Sequence, residues 1–258
     1  MDLGIAGKTA LVTGSHRGTG EIIANTLATG VEVIWHGLKQ DDIAGKSRSV
    51  WGDIATTTGC AQVVEQLQAM NAHVDILVNN YGTASAGKWG KSSEADWLDM
   101  YQKNVLSVAR LCEAVIPGMK QEGWGRIVNL GTIGSHQPNS IMPHYYAAKG
   151  ALATLGVSLT KELSGSGITV NTVSPGYIRT PELEAGFRLK AEKKGWGGDW
   201  ADIERKIVET EFPNACERLA TREEVAELVA FLCSERAAFI NGQNIRCLLY
   251  TSPSPRDS

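Results

Sequence analysis

The 258-residue chain has no block of like charge, and its net charge is only −3. It therefore carries no electrostatic footprint for nucleic acid or an anionic membrane. Apolar runs such as Ile76–Val78 are far too short to span a bilayer. The opening Met1-Asp2-Leu3-Gly4 lacks the basic and apolar regions of a signal peptide. Cysteine is scarce and odd in number: Cys60, Cys112, Cys216, Cys233 and Cys247, with no C-x-x-C pair. Reduced thiols in a cytoplasmic protein are expected rather than disulfides or zinc. The five histidines show no ligand spacing, so no catalytic metal is expected. There is no internal repeat or low-complexity linker.

What is present is an alternation of short β-rich runs and longer helical patterns. Lys8–Thr13, Glu32–His36, Asp75–Asn79, Arg126–Leu130 and Ile168–Val173 read as strands, with a weaker one at Ser49–Gly52. Their nearly continuous apolar character fits strands buried on both faces of a parallel sheet. Helices are expected at Gly18–Ala28, Thr57–Met70, Glu94–Lys120, Tyr145–Ser164 and Glu223–Ser234. The fold class is thus α/β: a doubly wound parallel sheet of about seven strands, helices on both faces, in one domain. Leu38–Lys46 holds little helical pattern, so that crossover should be abbreviated. The polar stretch 181–213, with Gly195, Gly197, Gly198, Trp196 and Trp200, reads as a helical insertion with a mobile hinge. It is either a solvated excursion or a substrate lid, and its place after the sixth strand favours the lid.

Two motifs carry chemistry. After the first strand comes Thr13-Gly14-Ser15-His16-Arg17-Gly18-Thr19-Gly20. Glycines there allow a tight turn and close backbone approach to a pyrophosphate at the following helix N-terminus. Three glycines alone are weak; the strand before and helix after strengthen them. An NAD enzyme usually places an acid near the end of its second strand. Here that region is Trp35-His36-Gly37-Leu38-Lys39, without one, while Arg17 and Lys39 offer charge to a 2′-phosphate. Asp41 and Asp42 are expected to lie beyond the ribose. NADP(H) is favoured over NAD(H). The second motif is Tyr145-x-x-x-Lys149, which sets a phenol and an ammonium on one helical face. A free tyrosine pKa of about 10 is too high for exchange near neutrality, and the lysine charge is expected to lower it. Tyr146 has Gly150 at the corresponding position and is the poorer candidate.

In this order the motifs resemble the short-chain dehydrogenase/reductase (SDR) family, over nearly the whole chain to about Arg246, and its ketoreductase-like members in particular, such as 3-oxoacyl carrier-protein reductases. The resemblance implies a Rossmann fold over residues 1–246 and interconversion of a ketone and a secondary alcohol. By position, it implies cofactor contacts at Gly14, His16, Arg17, Gly18, Thr19, Gly20, Lys39, Asp53, Ile54, Asn80, Gly82, Pro175, Gly176, Ile178 and Thr180, besides Tyr145 and Lys149. Asp53 matches the family's adenine-contacting acid. Asn79-Asn80-Tyr81-Gly82 matches N-N-A-G, with Tyr81 in place of the small alanine. Asn104 matches the tetrad asparagine that holds a water relaying protons, and Lys149 also reaches the nicotinamide ribose. The family serine, thirteen residues before the tyrosine, is here Thr132, with Ser135 as the alternative donor. Tyr81, His136, Gln137, Met142 and His144 are expected to shape the substrate pocket.

Partners implied are a small carbonyl or alcohol substrate and further copies of the chain, as a homodimer or homotetramer. The family ending G-Q-x-[IL]-x-V-D-G-G starts at Gly242-Gln243-Asn244-Ile245-Arg246 and then departs. Residues 247–258 look like a translated transposon-type sequencing adapter and are expected to be foreign, with Leu248–Tyr250 still able to complete the last strand. A non-catalytic NADP-binding regulator on the same fold is the competing function; such proteins often lose the tyrosine or lysine, and both are kept here. Dehalogenases on this fold lack the glycine loop, and enoyl reductases use a longer tyrosine-to-lysine spacing.

Overall fold

Along each central strand, successive side chains enter different cores. Ala10 and Val12 join one apolar cluster and Leu11 the other; Ile76 and Val78 likewise oppose Leu77, and Val128 and Leu130 oppose Ile127. A pleated strand sends alternate residues to opposite faces, so unbroken apolar runs mean both faces are covered. The computed structural model describes residues 2–247. The expected completion of the last strand by Leu248–Tyr250, and the supposed foreign tail beyond Cys247, lie outside the described residues.

The strands are β1 (Thr9–Val12), β2 (Glu32–Gly37), β3 (Ser49–Trp51), β4 (Ile76–Asn79), β5 (Gly125–Leu130), β6 (Ile168–Ser174) and β7 (Asn244–Arg246). They form one sheet in the order β3-β2-β1-β4-β5-β6-β7, every neighbouring pair parallel. The order reverses between β1 and β4, the switch point at whose carboxyl edge a doubly wound sheet binds its ligand. The helices are α1 (Gly18–Leu27), α2 (Thr57–Ala69), α3 (Glu94–Tyr101), α4 (Ser107–Glu122), α5 (Pro143–Glu162), α6 (Pro181–Lys194), α7 (Trp200–Thr210) and α8 (Arg222–Leu232). α1 and α8 cover one face of the sheet; α2, α4 and α5 cover the other. The abbreviated crossover is a single 3-10 turn, Gln40–Ile43. Among the described residues no helix is long and apolar enough to cross a membrane.

Two features depart from the expected elements. The helix expected over Glu94–Lys120 is broken by a π turn at Gln102–Leu106. The Asn104 side chain causes it in part, donating to the Met100 carbonyl at 3.0 Å and so entering the helical ladder. The insertion is also less solvated than its polar composition suggests. α6 and α7 build a small core of their own from Ala191, Trp200, Ile203, Ile207 and Phe212, which seats on Ile133, next to Thr132. Gly195 closes α6 in the left-handed region, at φ 67°. Lys190 and Lys194 pair with Glu211 and tie α6 to the end of α7.

Candidate active site

The glycine turn sits between β1 and α1, with Gly14 at φ 64° and Gly18 at φ 63°. Both are left-handed conformations that other residues rarely adopt. A Cβ on Gly20 would come within 2.4 Å of Asn80 Nδ2 and 2.5 Å of the Gly14 carbonyl. Asn80 meanwhile donates to the Thr13 carbonyl at 2.9 Å, so β4 braces the turn. Arg17 precedes α1 and Thr19 lies in its first turn, leaving unpaired helix N–H groups facing the carboxyl edge.

His36, to which no sequence motif points, is the turn's other brace. It is fully buried at the end of β2. Its Nδ1 accepts the Gly14 N–H at 2.9 Å, its own N–H donates to Ser15 Oγ at 2.8 Å, and its Nε2 lies 3.0 Å from the Gly52 carbonyl. Burial lowers its pKa to about 4. A histidine inside an otherwise apolar buried strand was the available signal, since such a ring needs partners.

At the same strand end stands Asp42. Its Oδ2 accepts the N–H groups of both Leu38 and Lys39 at 2.9 Å, and those bonds hold its carboxyl below the usual range. The 3-10 turn folds the Asp42 carboxyl back onto the end of β2. Lys39 is exposed beside it, and His16 lies within electrostatic reach of it. Arg17 instead feels Glu182 at the start of α6. His16 Nδ1 is buried without a partner. Asp53 follows β3 and accepts from the Tyr81 hydroxyl at 3.0 Å and the Ala55 N–H at 3.1 Å. The Ile54 side chain is in the core, which leaves only its backbone to the site.

Beyond the switch point stand the four residues of the expected tetrad. Tyr145 and Lys149 lie in the first two turns of α5, with Lys149 Nζ 6.0 Å from the Tyr145 ring centre. Lys149 is buried and donates to the Leu130 carbonyl at 2.7 Å. The Thr132 side chain lies within electrostatic reach of the Tyr145 phenol. Ser135 donates to the Thr132 carbonyl at 2.8 Å, so its hydroxyl is directed at backbone and Thr132 is the hydroxyl beside the tyrosine. Asn104 donates to the Thr83 and Met100 carbonyls, both at 3.0 Å, while its buried Oδ1 has no partner. A Cβ on Gly82 would meet that Oδ1 at 2.6 Å and Lys149 Nζ at 3.2 Å, so the glycine lets these two groups share one space.

The expected lowering of the tyrosine by the lysine is not what the protein alone produces. Burial pushes the Tyr145 phenol up to about 12, neighbouring Tyr146 adds to the rise, and the Thr132 hydroxyl pulls it back. Burial brings Lys149 down to about 8. The lysine therefore loses its charge before the phenol titrates, and it spends a bond on Leu130 rather than on the phenol.

Past β6, the Pro175 carbonyl accepts the Ile133 N–H at 2.9 Å, Gly176 follows, and Ile178 bridges to Ala220. Thr180 caps α6 by accepting the Leu183 N–H at 3.2 Å. A cleft of about 590 Å³ opens beside it, its walls including Arg179, Thr180, Glu184, Arg188, Arg222 and Glu223. His136 pairs with Asn244 at 2.9 Å. His144 is buried, accepting the Tyr145 N–H at 2.8 Å and meeting Trp97 edge-on, so it supports α5 rather than lining open space. Met142 takes a left-handed conformation at φ 59° and donates to the Gly87 carbonyl.

A nucleotide-type glycine turn at the switch point and a Tyr-Lys helix across from it define a dinucleotide-dependent α/β protein. The chain belongs to the short-chain dehydrogenase/reductase family. A family within that group, described as enoyl-(acyl carrier protein) reductase, matches residues 14–247. The 3-oxoacyl-[acyl-carrier-protein] reductase FabG of Escherichia coli is 32% identical, over 93% of this chain and 95% of its own length. The oxidoreductase YvaG of Bacillus subtilis is 30% identical over 95% and 96%. Among solved structures, L-sorbose reductase from Gluconobacter frateurii, complexed with NADPH and L-sorbose, superposes with a TM-score of 0.87 at 32% identity, covering 95% of this chain and 97% of that one. A 3-oxoacyl (acyl-carrier-protein) reductase from Agrobacterium tumefaciens with NADP bound gives 0.81 at 30%, covering 95% and 94%.

Proposed function

We propose that the protein is an NADP(H)-dependent reductase that interconverts a ketone and a secondary alcohol. The observation that carries this reading is the grouping of the Tyr145 phenol, nearby Thr132, buried Lys149 and the unpaired Asn104 oxygen on one side of the switch point. The chain's cradle fits a dinucleotide: left-handed Gly14 and Gly18, and Gly20 and Gly82, where a Cβ would collide. Gly14, Gly18, Thr19 and Gly20 would hold the pyrophosphate, with Asp53, Ile54 and Asn80 on the adenosine side. Lys39, Arg17 and His16 would answer the 2′-phosphate. Gly82, Pro175, Gly176, Ile178 and Thr180 would border the nicotinamide half, and a bound nicotinamide supplies or accepts the hydride.

The residues then divide the proton work. Thr132 donates to the substrate carbonyl oxygen and holds it beside Tyr145. Tyr145 gives its hydroxyl proton to that oxygen as it becomes an alcohol. Lys149, cationic below about pH 8, stabilises the phenolate left behind. Asn104 Oδ1, buried and unpaired, accepts from a water that resupplies protons through Lys149. The tyrosine-to-lysine spacing of four supports ketone over enoyl reduction. The helical pair 181–213 acts as a lid over the substrate, a role supported by its core seating on Ile133, the neighbour of Thr132 in the chain. The relatives support NADP(H) and leave the substrate open between acyl thioesters, ketoses and other ketones.

The test is NADPH against NADH oxidation across ketones, β-ketoesters, ketoses, quinones and steroids, in wild type and Tyr145→Phe. NADPH-dependent turnover that the substitution abolishes is expected. Equal or better use of NADH overturns the cofactor assignment. Tight NADPH binding without turnover of any carbonyl supports the regulator instead.

A further inference from the structure

Tyr81 is large where the family it resembles is small, and both of its ends are tied. Its backbone N–H donates to Thr13 Oγ1 at 2.9 Å, and a Cβ on Gly14 would meet Tyr81 Cα at 3.3 Å, so the residue is pressed against the glycine turn. Its ring meets His36 edge-on at 6.3 Å. At the far end its hydroxyl donates to Asp53 Oδ1 at 3.0 Å. The phenol thus spans from the turn after β1 to the end of β3. Burial, together with the Asp53 charge, pushes its pKa well up, so it remains a donor.

Asp53 lies on the β1-β2-β3 side of the switch point. With a pyrophosphate at the start of α1, that side takes the adenosine half of a dinucleotide. Oδ1 is already filled by the Tyr81 hydroxyl and the Ala55 N–H. Among the described residues nothing hydrogen-bonds to Oδ2. Two donors on one oxygen stop the carboxylate from rotating, so its free oxygen is presented without a further cost in side-chain freedom. A carboxylate oxygen accepts only. It suits an amino group on the base and repels a carbonyl.

We propose that Tyr81 is a specificity-determining residue: by holding Asp53 Oδ1 it fixes Oδ2 as the acceptor for the purine amino group. The chain thereby selects a 6-aminopurine dinucleotide over its 6-oxopurine counterpart. The inference rests on the cofactor reading above and not on any substrate.

Calorimetric titration with NADP⁺ and with its hypoxanthine analogue tests it, in wild type, Tyr81→Phe, Tyr81→Ala and Asp53→Asn. Wild type should bind NADP⁺ at least about tenfold more tightly than the analogue, which is about 1.4 kcal/mol. Tyr81→Phe keeps the ring and loses the donor, and should cut the ratio to about threefold or less; Asp53→Asn, whose amide can donate, should bring it to about one. The readout is a ratio, so a general loss of folded protein, followed by thermal melting, lowers both affinities and leaves it unchanged. A wild-type ratio near one, an unchanged ratio in both Tyr81 variants, or no binding of either dinucleotide overturns the proposal. A ratio that shifts as expected in a protein that reduces no ketone defeats the reductase reading and leaves this one standing.

Discussion

The Gly14 N–H donates to His36 Nδ1 across 2.9 Å, so Nδ1 carries no proton. The Nε2–H then donates to the Gly52 carbonyl at 3.0 Å, and the neutral ring joins the turn after β1 to the end of β3. Its burial, the nearby His16, and the opposing charges of Asp53 and Asp42 leave its pKa at about 4 against the usual 6.5.

An acid limb in stability follows. Between pH 4 and 6.5 the unfolded chain binds this proton and the folded chain does not. The contribution is fully present above pH 6.5 and is lost as pH falls to 4, a total of about 3 kcal/mol. Urea unfolding at intervals over that range should show the slope. His36→Asn should flatten it and cost about 1–3 kcal/mol at pH 7 through the broken bonds. An unchanged acid limb in the variant would assign it to other groups.

Lys149 predicts a second limb of the same sign, at alkaline pH. Its charged form is penalised in the fold, so the unfolded chain binds more protons between pH 8 and 10.5, and stability rises with pH across that window. Lys149→Met removes the buried charge. It should raise stability at pH 7 by about 1–3 kcal/mol and remove the alkaline rise, at a cost of at least about 10²-fold in kcat. Loss of stability on this substitution would mean that the bond to Leu130 outweighs desolvation.

Thr132 separates hydroxyl from methyl. Its Oγ1 accepts the Gly134 N–H at 3.2 Å, and its side chain lies within electrostatic reach of the Tyr145 phenol. Thr132→Ser keeps both and should hold kcat/KM within about threefold, whereas Thr132→Val should lose about 10²–10³-fold. Equal activity in Val and wild type would shift the role to another donor.

Periodicity made the sheet and its flanking helices legible, because Leu11 against Ala10 and Val12 encodes a two-faced core over a few residues. Short local patterns also exposed the glycine turn and the Tyr145–Lys149 helix. What was not legible depends on contacts far apart in the chain. His36 is explained only by Gly14 and Gly52, and the Tyr81 hydroxyl only by Asp53. Asp42 looked distant by residue count, but a 3-10 turn brings it back to β2. The polar composition of 181–213 hid the burial of Trp200 and Ile207, which comes only when α6 and α7 meet. The rise in the Tyr145 pKa follows from burial, which the Y-x-x-x-K spacing does not report.

Asn104 combines a structural duty with the chemical one proposed for it, and Tm and kcat report on them separately. Its Nδ2 holds the Thr83 and Met100 carbonyls and thereby the π turn, while Oδ1 stands buried and unpaired beside the space shared with Lys149. Asn104→Ala removes both functions. Loss of the donors leaves two carbonyls short, costing about 1–3 kcal/mol and lowering Tm by about 3–8 °C. Loss of Oδ1 removes the acceptor that would hold a relay water. The expected kinetic result is a fall in kcat of about 10²-fold with a raised solvent isotope effect, as proton supply becomes limiting, and little change in the KM for NADPH. Asn104→Asp keeps an acceptor but sets a carboxylate against the same two carbonyls, so it should destabilise more than alanine does. A lowered Tm with undiminished kcat in Asn104→Ala would show that the asparagine serves only the π turn, and that protons reach Lys149 by another route.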